Sequence, residues 1–149
     1  MDEYSYNLAL KYLARRPRSE KEVHDYLIKK KVPDTQIQLI LSKLREQKLI
    51  NDEEFAQWWV EQRNRFRPKG HRAIAFELKQ KGIPAHIISN LEPGTKNEEQ
   101  LAKELIQKNI KKYQGLSRQE LYNKLGGFLA RRGFDYDTIT SCIDEVLGK

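Results

Sequence analysis

The residues of this chain that are best suited to chemistry form a basic segment near its middle, at residues 62–75. The segment contains no Asp or Glu. Guanidinium groups donate paired hydrogen bonds to phosphate oxygens and to carboxylates alike, so the segment could follow a nucleic-acid backbone or bind acidic protein side chains. A solvated helix end explains one or two cations, but not five within ten residues. We therefore interpret the segment as a binding site and leave both targets open. Its basic residues are Arg63, Arg65, Arg67, Lys69 and Arg72, with His71 among them.

Smaller basic groups recur along the chain, near the ends of predicted helices. Each group alone is explained by the attraction between a cation and a helix C-terminus. If the chain consists of repeated units, one group per unit would instead form a discontinuous positive stripe that fits a helical polyanion. The groups also include Lys29, Lys30, Lys31 and Lys108. The members that we predict to contact the partner are Arg15, Arg16, Arg18, Lys111, Lys112, Arg131 and Arg132.

A search for catalytic residues returns none that we would assign. The sequence has no phosphate-binding glycine loop, no paired metal-ligand motif and no nucleophile with a recognisable base nearby. His24, His71 and His86 lie in different segments without the spacing of metal ligands. The acidic residues 52–54 could suggest a metal-dependent nuclease, but the helix dipole explains acids in a first helical turn. We predict a protein that is not an enzyme and that needs no metal or cofactor.

Composition narrows the class of partner and the compartment. The formal net charge is +7, from 28 Lys and Arg against 21 Asp and Glu, which favours nucleic acid or an acidic protein surface. The single cysteine, Cys142, cannot form an internal disulfide and falls on an apolar helical stripe. No apolar run approaches the roughly 18 residues of a membrane span, and the first residues do not resemble a signal peptide. We expect a cytoplasmic protein that does not contact a membrane.

The elements that must position these residues are helices. Apolar residues recur at helical spacing throughout, and strand-type alternation is not sustained. Ser19 with Glu22, and Ser117 with Glu120, have the capping-box spacing that marks helix starts. Proline and glycine breaks divide the chain into about nine helical pieces, and no sheet is predicted.

The pieces repeat with a period of 51 residues. Pro17 and Pro68 lie 51 residues apart (68 − 17), and Gly82 precedes Gly133 by the same interval. The apolar stripes match in this register too, in the sets Val23, Ile74 and Leu125; Leu27, Leu78 and Leu129; and Ile37, Ile88 and Ile139. We predict an elongated all-α array of three tandem three-helix repeats, at residues 5–50, 51–92 and 97–147. Without a long heptad seam, we expect a monomer.

Two pairs of residues raise packing questions within this array. Phe55 and Trp59 share a helix face, which leaves Trp58 rotated away, so we expect Trp58 to pack on a neighbouring repeat rather than on a base. Gly126 and Gly127 lie inside a predicted helix at a cost of about 1 kcal/mol each relative to Ala. A close helix approach or a kink would compensate for that cost.

Several stretches of the sequence resemble the RecX family of regulators of the RecA recombinase. The opening run at residues 12–23, YLARRPRSEKEV, is similar to the first signature of that family. The family pattern continues in order through KKKVP at 29–33, LINDEEFA at 49–56, RPKG at 67–70 and LARRGF at 129–134. The resemblance covers nearly the whole chain.

That resemblance implies an array of three-helix repeats that binds a RecA filament and limits its growth and its recombinase and ATPase activity. It also implies affinity for DNA, single- or double-stranded, without strong sequence preference, and a role in DNA repair, recombination and the SOS response. Two other hypotheses stay open. A helix-turn-helix-like transcriptional regulator would prefer one duplex sequence by several kcal/mol. An enzyme acting on nucleic acid would work far below stoichiometric amounts.

Overall fold

The computed structural model describes residues 2–148, and within that range the chain is all-helical, with nine α-helices, one short 3₁₀ helix and no strand. This confirms the predicted all-α class and the predicted number of helices. The helices are α1 (Glu3–Arg15), α2 (Glu20–Lys29), α3 (Asp34–Glu46), α4 (Asp52–Arg65), α5 (His71–Gln80), α6 (Ala85–Ser89), α7 (Glu98–Asn109), the 3₁₀ helix (Ile110–Tyr113), α8 (Arg118–Arg131) and α9 (Tyr136–Leu147).

Helix starts are fixed by side-chain caps. Both predicted capping boxes are present, with Ser19 capping α2 and Ser117 capping α8. A third box at the start of α7 pairs Asn97 with Gln100. In each box the cap side chain accepts an N–H of the first turn, and the Glu or Gln side chain returns a bond to the cap backbone. These bonds satisfy donors that the helix itself leaves unpaired.

The second helix of each repeat ends in the same backbone conformation. Lys31, Gly82 and Gly133, spaced at the 51-residue period, have φ values of 64°, 80° and 90°. In each case the residue that follows donates its N–H to the carbonyl five positions earlier, as in Val32 N–H to the Leu27 carbonyl at 3.0 Å. This is the Schellman arrangement, in which a left-handed residue lets the chain turn away from the helix. The 51-residue repeat that the side chains predict is therefore also present in the backbone conformation.

The repeated apolar stripes form the cores. All nine residues of the three matched sets are buried, which confirms them as core positions. The first core joins α1, α2 and α3 around Leu27 and Ile40, and the core of the third repeat joins α7, α8 and α9 around Leu129 and Ile143. Cys142 is buried in that last core, and burial raises the pKa of its thiol. It acts as a small apolar residue, as predicted.

The chain divides into two compact units. Among the described residues, the first comprises 2–59 and 78–91, and the second comprises 60–77 and 92–148. The helices α4 and α5 contribute residues to both units. The first unit thus holds the start of α4, and the second unit holds the whole basic segment at residues 62–75.

A close helix approach, one of the two compensations expected for the glycine pair in α8, is not found at either residue. A Cβ on Gly126 would lie 3.8 Å from Ile139, which is an ordinary contact, and a Cβ on Gly127 would meet only the tip of Arg131 at 3.2 Å. The helix continues through both residues from Arg118 to Arg131. Close packing therefore does not explain the pair.

Candidate nucleic-acid interface

Two cations of the basic segment bind the same carboxylate. Arg63, near the end of α4, binds Glu77 of α5 through two hydrogen bonds, with Nε at 2.9 Å and Nη2 at 2.5 Å. Lys69 of the intervening turn binds the same carboxylate at 2.8 Å. Glu77 lies just beyond the acid-free segment, with only 17% of its side chain exposed. Two of the five predicted cations are thus held by an internal acid and fix the turn.

The other three cations of the segment face solvent. Arg65, Arg67 and Arg72 are all exposed, and no described ion pair involves any of them. Arg67 has a φ of 53°, a region that costs a residue with a side chain about 1–2 kcal/mol. The turn that follows α4 therefore holds Arg67 in a backbone conformation that is less stable than the ordinary ones. These three guanidinium groups are the part of the predicted site that is free to bind a partner.

One exposed aromatic ring lies within the segment and another directly follows it, and neither was predicted from the sequence. Phe66 lies between Arg65 and Arg67, and Phe76 lies on α5; each is 63% exposed. The helical phase was a signal for Phe76, because Ile74 and Leu78 are buried and a residue midway between them must face the other side. Neither ring contributes to a described core. The segment therefore has one exposed ring, Phe66, between two exposed arginines.

The first arginine group divides in the same way. Arg16 lies inside the first unit, where its guanidinium binds Glu22 at 2.6 Å and Lys81 binds the same carboxylate at 3.0 Å. Burial alone would raise the pKa of Glu22, but hydrogen bonds from the Ser19 N–H, Arg16 and Lys81 outweigh burial and lower it. The guanidinium also lies 5.6–6.0 Å from three ring centres, those of Phe55, Trp58 and Trp59. Trp58 thus packs on a residue of the preceding repeat, as expected.

Arg18 is also engaged within the first unit. Its guanidinium lies 3.8 Å from the centre of the Tyr12 ring, and Tyr12 stacks on Tyr26 with the ring centres 4.1 Å apart. Lys30 lies on the far side, 5.6 Å from the Tyr26 ring. Cation–π attraction therefore holds both ends of this stack. Arg15, in contrast, is exposed.

The C-terminal cations fall into the same two classes. Arg132 donates to the Pro68 carbonyl at 3.3 Å and lies 5.0 Å from the Phe128 ring centre. It is therefore brought next to the turn of the basic segment. Arg131, Lys111 and Lys112 are exposed. Of the twelve predicted contacts, seven are exposed side chains: Arg15, Arg65, Arg67, Arg72, Lys111, Lys112 and Arg131.

The start of α5, which carries His71 and Arg72, is fixed by contacts with the third repeat. The His71 N–H donates to the Glu98 carboxylate at 2.9 Å. Two backbone bonds reach the turn at Gly133: the Gly70 N–H donates to the Arg132 carbonyl at 2.7 Å, and the Arg72 N–H to the Gly133 carbonyl at 3.3 Å. Bonds to the third repeat therefore fix the basic segment at its turn and at the start of α5.

The same contact occurs 51 residues earlier, within the first unit. There the Glu20 N–H donates to the Asp52 carboxylate at 2.9 Å, so a side chain from the next repeat again caps the second helix. Lys81 and Gly82 occupy the places of Arg132 and Gly133. Burial raises the pKa of Asp52. From the sequence, Asp52 was expected only to interact with the dipole of its own helix, and this second contact was not predicted.

Neither a metal site nor a membrane-spanning helix is found within residues 2–148. Within that range, no three His, Cys, Asp or Glu side chains are grouped so that they could hold a metal ion. Of the helices in the same range, none is both long and apolar enough to cross a bilayer.

Comparison with known proteins gives one consistent result. Family models for the first, second and third three-helix domains of RecX match residues 6–44, 51–90 and 97–143. The chain is 36% identical over 144 residues to the regulatory protein RecX of Streptomyces lividans, covering 94% of this chain and 76% of that protein. It is 34% identical to the regulatory protein RecX of Bacillus velezensis, of which it covers 55%. The crystal structure of RecX from Lactobacillus salivarius superimposes with a TM-score of 0.85 at 31% identity, covering 96% of this chain and 94% of that one.

Proposed function

The chain belongs to the RecX family of regulatory proteins, and from this premise we propose that it binds the RecA filament on DNA. It limits the growth of the filament and its recombinase and ATPase activity, and so acts in the control of DNA repair and recombination. It works by stoichiometric binding rather than by turnover, as a monomer, in the cytoplasm where its partners lie. The three repeats at residues 5–50, 51–92 and 97–147 supply successive contacts along the filament.

The observation that supports this proposal most directly is the exposed part of the basic segment. Arg65, Arg67 and Arg72 are exposed within a stretch that contains no acidic residue. Glu77, the first acid that follows the segment, already binds Arg63 and Lys69. Phosphate oxygens of DNA and carboxylates of a protein filament are both suitable acceptors for the remaining guanidinium groups.

The test combines a filament assay with charge reversal. Wild-type protein titrated into RecA on single-stranded DNA should lower its DNA-dependent ATPase at near-stoichiometric ratios. The triple variant Arg65→Glu, Arg67→Glu, Arg72→Glu should require a much higher concentration for the same effect. Because all three side chains are exposed, its helical circular dichroism should match that of the wild type.

A matched control keeps the total charge equal. Lys11, Lys79 and Lys124 are exposed and lie outside every basic group named above, and replacing all three with Glu lowers the net charge from +7 to +1, as the arginine triple does. The control should retain most of the inhibition. Equal inhibition by the arginine triple and the wild type would remove this surface from the site. An effect far below stoichiometry would indicate an enzyme, and binding to one duplex sequence alone would indicate a transcriptional regulator.

A further inference from the structure

Phe66 is an apolar ring that the described fold leaves in water at the end of α4. It is 63% exposed and contributes to neither hydrophobic core. Its neighbours along the chain are Arg65 and Arg67, both exposed. Isolated apolar residues on a surface are common, so exposure alone does not define a site. The charge around the ring provides the second observation.

The surroundings of Phe66 favour an anionic partner. Residues 62–76 contain no Asp or Glu, and Glu77 is bound by Arg63 and Lys69. Three other acids lie near the segment: Glu61, one turn before Arg65 on α4, accepts the Thr95 hydroxyl at 2.7 Å, Glu98 accepts the His71 N–H, and Asp135 lies close enough to Arg72 to interact with it. Arg65 and Arg67 flank the ring with no described ion pair of their own. A ring between two such cations can contact a base while the cations contact the phosphates on either side.

A third exposed ring in the same unit, besides Phe66 and Phe76, shows the opposite pattern. Tyr136 is 77% exposed at the start of α9, and its neighbours are Asp135 and Asp137. It offers a larger exposed fraction than Phe66, but two carboxylates would repel a phosphate backbone. Both rings are accessible and the flanking charges have opposite signs, which makes Tyr136 a control for the effect of that charge.

We propose that Phe66 stacks on an unpaired base, with Arg65 and Arg67 on the adjacent phosphates, so that this surface prefers single-stranded to duplex DNA. This inference rests on the proposed function and adds the strand preference that the sequence left open. In a duplex both faces of each base are already stacked, so Phe66 gains no platform there and only the arginines contribute. In a single strand the base is free to turn onto the ring. The preference carries no sequence information, since every base has a π-face.

The experiment measures binding without any recombinase. Fluorescence anisotropy with a labelled oligothymidylate of about 15 nucleotides, near the upper site size of small single-strand-binding modules, is compared with a duplex of equal length in the same buffer. Phe66→Ala should weaken single-strand binding by roughly five- to tenfold, the lower part of the range found when one stacked base loses its platform. Phe66→Trp should retain the affinity, and Phe66→Leu, which keeps an apolar side chain without a π-face, should lose it as Ala does.

Two further comparisons give the expected pattern. Duplex binding by Phe66→Ala should equal that of the wild type, and Tyr136→Ala should bind both DNA forms as the wild type does. The thermal midpoints of all four variants should be unchanged, since both rings are exposed. The salt dependence of binding should also stay the same in Phe66→Ala, because it reflects the phosphate contacts.

The inference is overturned by unchanged single-strand affinity in Phe66→Ala, by full affinity in Phe66→Leu, or by an equal loss for duplex and single strand. A Phe66→Ala variant that binds DNA normally but no longer inhibits RecA would assign the ring to a protein contact, which also overturns it. Because the anisotropy assay contains only this chain and DNA, its failure leaves the RecA filament assay as an independent test of the proposed function.

Discussion

Substitutions at Gly133, Gly82 and Lys31, the three equivalent positions of the repeated left-handed turn, should change the free energy of unfolding by different amounts. A Cβ on Gly133 would lie 2.3 Å from the Ala73 Cβ and 2.6 Å from the Ala73 backbone N. Non-bonded carbons pack at about 3.5–4.0 Å, so the two turns must separate by more than 1 Å. That separation breaks the backbone bonds that join them, from Gly70 N–H to Arg132 and from Arg72 N–H to Gly133.

The magnitude for Gly133→Ala follows from three costs. The left-handed φ of 90° costs a residue with a side chain about 1–2 kcal/mol, overpacking costs about 1–3 kcal/mol, and each weakened hydrogen bond costs about 0.5–1.5 kcal/mol. A local movement that relieves the overpacking also weakens the hydrogen bonds, so the three costs do not add in full. We expect a loss of about 3–5 kcal/mol in the free energy of unfolding. This is a large fraction of the stability of an ordinary domain.

The other two positions should respond differently. Gly82→Ala has the same φ penalty, but its Cβ would lie 2.6 Å from the Lys21 Cβ with no backbone atom among its three nearest contacts, and we expect a loss of about 2–3 kcal/mol. Lys31 is exposed and already has the left-handed conformation. Lys31→Gly removes the backbone penalty at the cost of greater freedom in the unfolded chain, for a net gain of about 0.5 kcal/mol.

Urea unfolding followed by two signals measures these effects. The two tryptophans, Trp58 and Trp59, belong to the first unit, so their fluorescence reports that unit, whereas circular dichroism reports all helices. Gly133→Ala should shift the circular dichroism transition more than the fluorescence transition, and Gly82→Ala should shift the fluorescence. A loss below about 1 kcal/mol in Gly133→Ala, or a smaller loss there than in Gly82→Ala, would refute the reasoning from close approach.

Two carboxylates that join repeats give predictions with opposite dependence on pH. Replacing Glu22 with Gln leaves Arg16 and Lys81 without their shared anion and should cost about 2–3 kcal/mol at pH 7, measured by urea unfolding. Since the folded-state pKa of Glu22 is lowered, its contribution is present above the ordinary value of 4.5 and is lost as the pH falls through the folded-state pKa; a cost that stays constant down to pH 3 would contradict this. For Asp52 the pKa is raised by burial, so ionisation costs stability as the pH rises from 3.8 through the folded-state value. Asp52→Asn keeps an oxygen to accept the Glu20 N–H without the charge, and it should become more stable relative to the wild type between pH 3 and pH 7; a relative loss over that range would contradict the assignment.

The fold could be predicted from the sequence because its determinants are local and repeated. Helical periodicity and capping spacing act within a few residues, and a shared period of 51 exposed the equivalence of Gly82 and Gly133. The neutralisation of Arg63 by Glu77 was not predicted, because the count of charges stopped at residue 75 and the carboxylate reaches back across a turn. The cap that Asp52 provides to α2 joins residues 32 positions apart, which periodicity within one helix does not encode.

The equivalence of the two junctions explains why a basic composition alone overestimates the binding surface. At both junctions a cation of the later repeat reaches the earlier one, Lys81 to Glu22 and Arg132 to the Pro68 carbonyl. Part of the positive charge therefore joins the repeats and is unavailable to a partner. A functional loss in an Arg16 or Arg132 variant would combine a disturbed junction with any missing contact, whereas Arg65 and Arg67 are exposed and can be changed without touching either junction. Only substitutions at exposed positions such as Arg65 and Arg67 measure what the positive charge contributes to binding.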